Sequence, residues 1–209
     1  AGLLDLFEAT GELRWFLEAQ RLMETTEPEF VDRQLGGWFA TSQRHEPLLT
    51  RERPIRDGAE PAGSSVALMN LVRLAVFTDE ARWREVVERG LACLLPLAEQ
   101  QPLSMSEALL AVDFWAGPIR TVVLTSAAAG AADAMLLWRA LGQVFSPRTA
   151  LVATASESTT FQELASRIPW LRDKKMRAGQ PTAYVCLGQS CLEPTSDPET
   201  TDPGKHRQW

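Results

Sequence analysis

Two carboxylates, Asp57 and Glu60, lie on either side of a glycine in the segment Asp57-Gly58-Ala59-Glu60. Paired carboxylates can act as general acid and general base, and beside a sugar they could perform glycoside chemistry. They could equally cap a helix or form ion pairs with Arg53 and Arg56, so their spacing leaves a catalytic and a structural role open. We take Asp57 and Glu60 as the candidate catalytic pair.

Aromatic and hydroxyl side chains flank these carboxylates in the sequence. Trp38 and Phe39 precede them, and Ser64 and Ser65 follow at the start of an apolar stretch with helical spacing over 66–77. Ser64 or Ser65 is expected to cap this helix, leaving amides at its start free for an anionic or hydroxyl-rich ligand. Trp38, Phe39, Ser64 and Ser65 are therefore the predicted substrate-binding residues.

A repeat with a period of 68 positions organises the first half of the chain. In both copies a turn of the form Thr-x-Glu-x-Arg-Trp joins two antiparallel helices. Each such hairpin is amphipathic and cannot bury its apolar face alone. We expect two stacked helical hairpins, with a β-hairpin of 36–41 and 48–51 inserted between them. The repeated residues are Leu3, Leu6, Thr10, Glu12, Arg14 and Trp15, which recur as Leu71, Leu74, Thr78, Glu80, Arg82 and Trp83.

The pattern changes after Gly117-Pro118. A strand over 119–125, a helix over 131–144 and a strand over 148–154 are spaced as in a parallel βαβ unit, and a third strand is predicted over 182–186. The sequence therefore predicts two domains. These are a helical-hairpin portion over residues 1–117 and a small α/β portion with an irregular tail over residues 118–209.

Composition limits the classes of partner. With 209 residues, of which 45% are hydrophobic and 23% charged, the chain is typical of a globular protein, and its net charge of -6 argues against binding nucleic acid. No apolar run approaches the ~20 residues of a membrane span, and no signal peptide is recognisable. We expect a soluble cytoplasmic protein that binds no membrane. The first helix begins without a capping residue, which favours a piece cut from a larger protein.

Three cysteines do not suggest a disulfide framework. A turn through Gly188 could bring Cys186 and Cys191 together; we expect reduced thiols, with a disulfide or a metal site as alternatives. Zinc normally takes four ligands, and few other cysteines and histidines remain to complete a set. The loop over 126–130 lacks both the Rossmann glycines and a Walker lysine. We therefore expect neither a metal nor a cofactor.

Several motifs together resemble a known family. The chain is similar, over nearly its whole length, to the C-terminal part of the thioredoxin-domain-containing proteins related to spermatogenesis-associated protein. Where that family usually has Asn before the serine, this chain has Ser64. No thioredoxin Cys-x-x-Cys is present, so the resemblance carries no redox activity. The motifs are Gly36-Gly37-Trp38-Phe39, residues 57–66, Asn70-Leu71-Val72-Arg73-Leu74, residues 181–186, Cys191, Pro194 and Asp197-Pro198.

The resemblance implies an architecture. In that family a thioredoxin-like domain precedes an (α/α)6 toroid similar to six-hairpin glycosidases and N-acylglucosamine 2-epimerases. It therefore implies a mainly α fold, a partial (α/α)6 toroid of helical hairpins with a small C-terminal α/β portion. The partners implied are the missing N-terminal hairpins and the thioredoxin-like domain.

Two functions follow as expectations. The first is a carbohydrate-binding or carbohydrate-active module, glycosidase-like or epimerase-like, in which the loop 57–65 forms the functional surface. The alternative is a non-catalytic protein-interaction scaffold, so whether the chain is an enzyme stays open. The pocket of the first function would be walled by Trp38, Phe39, Asp57, Glu60, Ser64 and Ser65.

Overall fold

The chain folds into two compact units. A computed structural model describes residues 1–47, 49–128, 134–143, 145–188 and 190–201. Residues 17–116, together with Ala1, form the helical unit, whereas residues 2–16 and those from Gly117 onward form the sheet unit. The division therefore falls within the second helix of the chain and again directly after Ala116.

Helices account for most of the regular structure. Among the described residues, no helix is both long enough and apolar enough to cross a membrane. The helices are α1 (Gly2–Thr10), α2 (Leu13–Phe30), α3 (Gly63–Thr78), α4 (Ala81–Gln100), α5 (Ser106–Ala116), α6 (Met135–Gly142) and α7 (Thr159–Arg167). The strands are β1 (Arg120–Ser126), β2 (Thr149–Ala155), β3 (Thr182–Leu187) and β4 (Ser190–Cys191).

Helix α3 is the centre of the helical unit. It packs against both α4 and α5, so apolar residues around most of its circumference are buried rather than one stripe alone. Its leucines Leu68, Leu71 and Leu74 have no exposed surface, and Trp83 of α4 is almost completely buried. These contacts fix the position of α3, and they therefore also fix the residues in the N-terminal half of this helix.

The sheet unit is built on a four-stranded sheet with the order β2-β1-β3-β4. Strands β1 and β2 pair in parallel, with Arg120 opposite Thr149 and Ser126 opposite Ala155, whereas β1 pairs with β3 in antiparallel orientation. The predicted βαβ unit and third strand are thus confirmed, although residues 131–133 and 144 of the predicted helix lie outside the described part.

Both faces of this sheet are covered. Strand β1 is buried over nearly its whole length, as expected for a central strand with helices on both sides. Helices α1 and α7 contact β2. Apolar side chains from β1, β3 and α6 pack together in one cluster. Its buried members are Val122, Leu124, Leu137, Leu141, Ala183 and Val185.

The two corners of the sequence repeat share one local structure. Gly11 and Asp79, which occupy equivalent positions, both adopt left-handed backbone conformations, with φ of 67° and 59°. At each corner a threonine hydroxyl donates to a carbonyl four residues earlier, at 2.7 Å for Thr10 and 2.8 Å for Thr78. In both copies the arginine lies over the ring of the following tryptophan, at 4.2 Å in Arg14–Trp15 and 4.6 Å in Arg82–Trp83.

The predicted partial toroid is wrong. A toroid requires that successive helical hairpins stack on one another, and the described residues show only α3 and α4 packed as such a hairpin. Helix α1, which should open the first hairpin, instead packs against β2 in the sheet unit. Phe7 of α1 does pack on Phe16 of α2, with 5.1 Å between the ring centroids, but the main partner of α1 is the strand β2. The described chain is a helical unit and a mixed-sheet α/β unit.

The predicted β-hairpin between the repeats is also wrong. Gly36 and Gly37 both have positive φ, 79° and 76°, and two successive left-handed residues turn the chain instead of extending it. The segment makes a single bridge between Val31 and Trp38. It folds back on the end of α2, and the predicted partner strand is absent from the described residues of 48–51.

Candidate functional site

A cavity of about 530 Å³ lies in the helical unit between α2, the turn that follows it and the start of α3. Most of its lining is apolar, and three aromatic side chains contribute. This composition is typical of small-molecule sites, which combine apolar walls with a few polar groups. The lining residues are Met23, Thr26, Glu27, Phe30, Trp38, Phe39, Ala40, Pro54, Gly63, Val66, Ala67 and Asn70.

Trp38 is held in place by close packing against α4. A Cβ atom at Gly90 would lie 2.6 Å from Cη2 of the indole, so the ring fits only because position 90 has no side chain. The backbone carbonyl of Trp38 accepts a hydrogen bond from Ser64 Oγ at 3.2 Å. Trp38 is thus fixed by α3 and α4 together.

Phe39 is half-buried, and one face of its ring is already occupied. The guanidinium carbon of Arg51 lies 3.9 Å from the ring centroid, a cation–π contact. The amide of Phe39 donates to the carbonyl of Phe30 at the end of α2. The turn therefore delivers two adjacent aromatic residues, Trp38 and Phe39, to the same cavity.

Three polar side chains lie in the lining, those of Thr26, Glu27 and Asn70, and the Thr26 hydroxyl donates to the Leu22 carbonyl. Asn70 is 9% exposed, and its Oδ1 has no hydrogen-bond partner, which costs about 1–3 kcal/mol for a buried acceptor. Glu27 contributes a carboxylate that lies 3.9 Å from Arg89. These groups can accept hydrogen bonds from a ligand that carries hydroxyl donors.

Asp32 organises the turn that carries the two aromatic residues. Its Oδ1 accepts hydrogen bonds from the amides of Gln34 and Leu35 at 2.9 and 3.0 Å, and Arg53 lies 3.4 Å from Oδ2. The hydrogen bond from the Leu35 amide, followed by that of Gln34 and the charge of Arg53, lowers the pKa of Asp32 despite its burial. The ionised carboxylate is thus part of the folded turn.

The pH dependence of stability should show this contribution. Because the pKa of Asp32 is lower in the folded protein, its stabilisation is complete above the unfolded pKa of about 3.9 and is lost as the pH falls. We expect Asp32→Asn to reduce the free energy of unfolding by about 1–2 kcal/mol at pH 7 and by clearly less near pH 3. Urea denaturation at both pH values measures this, with exposed Glu46→Gln as the control. An equal loss at both pH values would contradict it.

The structure places Asp57 outside the cavity lining and uses its carboxylate locally. Oδ1 accepts a hydrogen bond from the Ala62 amide at 2.8 Å, and Oδ2 accepts from the amides of Glu107 and Ala108 at 2.8 and 3.4 Å. Asp57 thereby caps the N-terminus of α5. Glu60 is exposed and also lies outside the lining. The predicted acid–base pair is not brought to the cavity.

Ser64 and Ser65 lie inside the first turn of α3, which begins at Gly63, so the prediction that one of them caps the helix is wrong. The capping position is Ala62, and it provides no side-chain hydrogen bond. Both serines are fully buried. They are absent from the cavity lining, whereas the predicted Trp38 and Phe39 are part of it.

The cysteines also differ from expectation. Cys186 and Cys191 form a disulfide, so the prediction of reduced thiols is wrong. The strands β3 and β4 place the two residues directly opposite each other, which favours the bond. Cys93 is a free thiol whose pKa is raised by burial. Within the described ranges, no group of three or more His, Cys, Asp or Glu side chains could hold a metal ion.

Sequence reasoning missed most of the cavity. Phe30, Ala67 and Asn70 were not among the predicted site residues, although Gly63, Ala67 and Asn70 follow the spacing of one helical face. Asn70 is also the lone polar residue between Val66 and Val72, and that is the signal by which it could have been found.

Comparison with known proteins supports the family resemblance. No family model matches the chain. Spermatogenesis-associated protein 20 of Homo sapiens is 31% identical over 198 residues, which cover 94% of this chain and 25% of that protein. The resemblance is confirmed. The Mus musculus protein of the same name is 27% identical over 198 residues, and an uncharacterised protein of Caenorhabditis elegans is 26% identical over 196 residues.

The chain spans about a quarter of the length of these relatives. The match is consistent with a C-terminal part of the spermatogenesis-associated protein 20 family. The names of the relatives specify neither a ligand nor a reaction. Function must therefore be inferred from the cavity of the helical unit.

Proposed function

We propose that the helical unit binds a ligand of the saccharide class in the cavity walled by Trp38 and Phe39. The observation that carries this proposal is the combination of these aromatic walls with the unpartnered Oδ1 of Asn70. A pyranose ring has C–H faces that pack on aromatic surfaces and hydroxyl groups around its rim that donate hydrogen bonds. The volume of about 530 Å³ lies within the range of small-molecule sites, roughly 300–1,000 Å³.

Binding is favoured over catalysis. The Asp57 carboxylate already accepts hydrogen bonds from three amides, so protonating it or moving it would uncap α5. Glu27 is the carboxylate in the cavity lining, and no second carboxylate among the described residues accompanies it there. The catalytic roles of Asp57 and Glu60 stay predictions.

A cavity-filling variant tests the proposal. Ala67 lies in the lining and is half-buried, so Ala67→Phe should fill the cavity without removing a packed side chain. Ala92→Phe, at an exposed position of α4 outside the lining, is the matched control. Saturation-transfer NMR with a panel of mono- and oligosaccharides should detect binding to the wild type and to Ala92→Phe. We expect Ala67→Phe to lose it.

Two results would contradict the proposal. One is that no saccharide in the panel binds to the wild-type protein. The other is that Ala67→Phe binds the same saccharides as Ala92→Phe with equal affinity. Circular dichroism and thermal unfolding of both variants establish that they are folded before their binding is compared.

A protein-interaction role is the second candidate. Leu103 and Leu110 in the helical unit are 97% and 53% exposed, and exposed leucines contribute apolar contact surface to protein interfaces. Single exposed apolar residues are common on monomeric proteins, so this candidate ranks below saccharide binding. A negative saccharide screen together with loss of a partner in Leu103→Ser would reverse this order.

A further inference from the structure

We infer that the disulfide between Cys186 and Cys191 is a thiol–disulfide exchange site, at which an external dithiol attacks Cys191 while the protein stays folded. The two residues face each other across the antiparallel pair of β3 and β4. Strand β4 consists of two residues at the edge of the sheet, so no further strand covers it among the described residues.

The two sulfur atoms differ in access. Cys191 is exposed, whereas Cys186 is only 8% exposed and lies in strand β3, most of which is buried. Thiol–disulfide exchange requires that a thiolate attack one sulfur in line with the S–S bond, so access decides which sulfur reacts. The attack therefore falls on Cys191, and Cys186 is the first leaving group.

A lysine lies beside the accessible sulfur. The Nζ atom of Lys174 is 3.9 Å from Cys191 Sγ and 5.0 Å from the ring centroid of Tyr184. The backbone next to Lys174 is anchored, because the Tyr184 hydroxyl donates to the Lys175 carbonyl at 2.6 Å and accepts from its amide at 3.2 Å. A neighbouring ammonium group stabilises a thiolate. Lys174 thus favours Cys191 as the reactive sulfur of the reduced pair.

A dithiol reductant supplies the two electrons that the exchange requires. Its first thiolate forms a bond to Cys191 Sγ, the Cys186–Cys191 bond breaks, and Cys186 leaves as a thiolate that takes up a proton. The second thiol of the reductant then attacks the reductant sulfur of the mixed disulfide. Cys191 leaves as a thiolate beside Lys174, the reductant becomes a cyclic disulfide, and two electrons have passed to the protein.

The fold does not depend on this bond. The disulfide closes a very short loop, with a sequence separation of 5, so it removes little entropy from the unfolded chain. Strand β3 is held independently by its pairing with β1, from Thr125 opposite Thr182 to Arg120 opposite Leu187. Reduction should therefore leave the sheet intact.

Reduction under native conditions tests this inference. In a Cys93→Ser background, dithiothreitol is added without denaturant, and peptide mass spectrometry after alkylation follows each cysteine while circular dichroism follows the fold. We expect complete reduction with an unchanged spectrum. We also expect Lys174→Gln to slow alkylation of Cys191 at pH 7 by about threefold or more. Lys175→Gln, with the same loss of charge one residue away, should leave this rate unchanged.

Two outcomes would overturn the inference. If the disulfide resists dithiothreitol until urea unfolds the protein, it is a structural bond. If Lys174→Gln and Lys175→Gln alter the alkylation of Cys191 equally, Lys174 has no specific effect on that sulfur. Neither outcome concerns the cavity of the helical unit, because Cys186, Cys191 and Lys174 all belong to the sheet unit.

Discussion

Replacing Gly11 by alanine is expected to lower the free energy of unfolding by about 3 kcal/mol or more. Gly11 has a φ of 67°, and a Cβ atom there would lie 1.7 Å from the carbonyl oxygen of Ala153 in β2. The obstacle is the backbone of β2, which is paired with β1, so it cannot move aside as a flexible side chain could. Urea denaturation of the variant measures the loss.

Two features could require glycine at position 11: the left-handed backbone and the close approach to Ala153. The second corner of the repeat distinguishes them. Asp79, at the position equivalent to Gly11, adopts φ of 59° with a full side chain. The left-handed conformation alone is therefore tolerated, and the close approach to Ala153 is what requires glycine. Gly142→Ala is the control, since a Cβ atom there meets nothing within 4 Å. Equal stability of Gly11→Ala and Gly142→Ala would show that α1 does not pack against β2 as described.

Asp57→Ala is expected to lower the free energy of unfolding by about 2–3 kcal/mol. The substitution removes the cap of α5 and leaves the amides of Ala62, Glu107 and Ala108 without their acceptor. Thermal and urea unfolding measure the change.

Glu60→Ala is the matched control for Asp57→Ala. Glu60 lies in the same loop but is exposed, so its substitution should change the free energy of unfolding by less than about 0.5 kcal/mol. If both variants unfold like the wild type, the hydrogen bonds of Asp57 contribute nothing to stability. The carboxylate would then be available for the catalytic role predicted from the sequence.

Local patterns predicted much of the sheet unit. The β-branched strand over 119–125, the helix after it and the strand over 148–154 have a spacing that leaves a parallel pair as the simplest arrangement. The repeated Thr-x-Glu-x-Arg-Trp sequence likewise indicated one corner structure, because its contacts lie within a few residues. These features depend on interactions between residues that are close together in the sequence, so a local pattern is enough to predict them.

Features that depend on distant parts of the chain were not predictable in this way. An amphipathic α1 must bury its apolar stripe, but the stripe does not specify whether a helix or β2 covers it. Asp57 caps α5 across 50 positions of sequence, and no local pattern shows this. The aromatic pair of the cavity was predicted from residue type, whereas Asn70 and Glu27 meet there only because α2 and α3 line the same cavity.

The affinity of one saccharide for three variants tests the central claim most directly. The strongest binder from the panel is titrated against the wild type, Ala67→Phe and Glu60→Gln by isothermal calorimetry. If the cavity is the site, Glu60→Gln binds like the wild type and Ala67→Phe binds at least about tenfold more weakly, a difference of roughly 1.4 kcal/mol. Loss of binding in Glu60→Gln with unchanged binding in Ala67→Phe would contradict the account and place the site on the 57–65 loop.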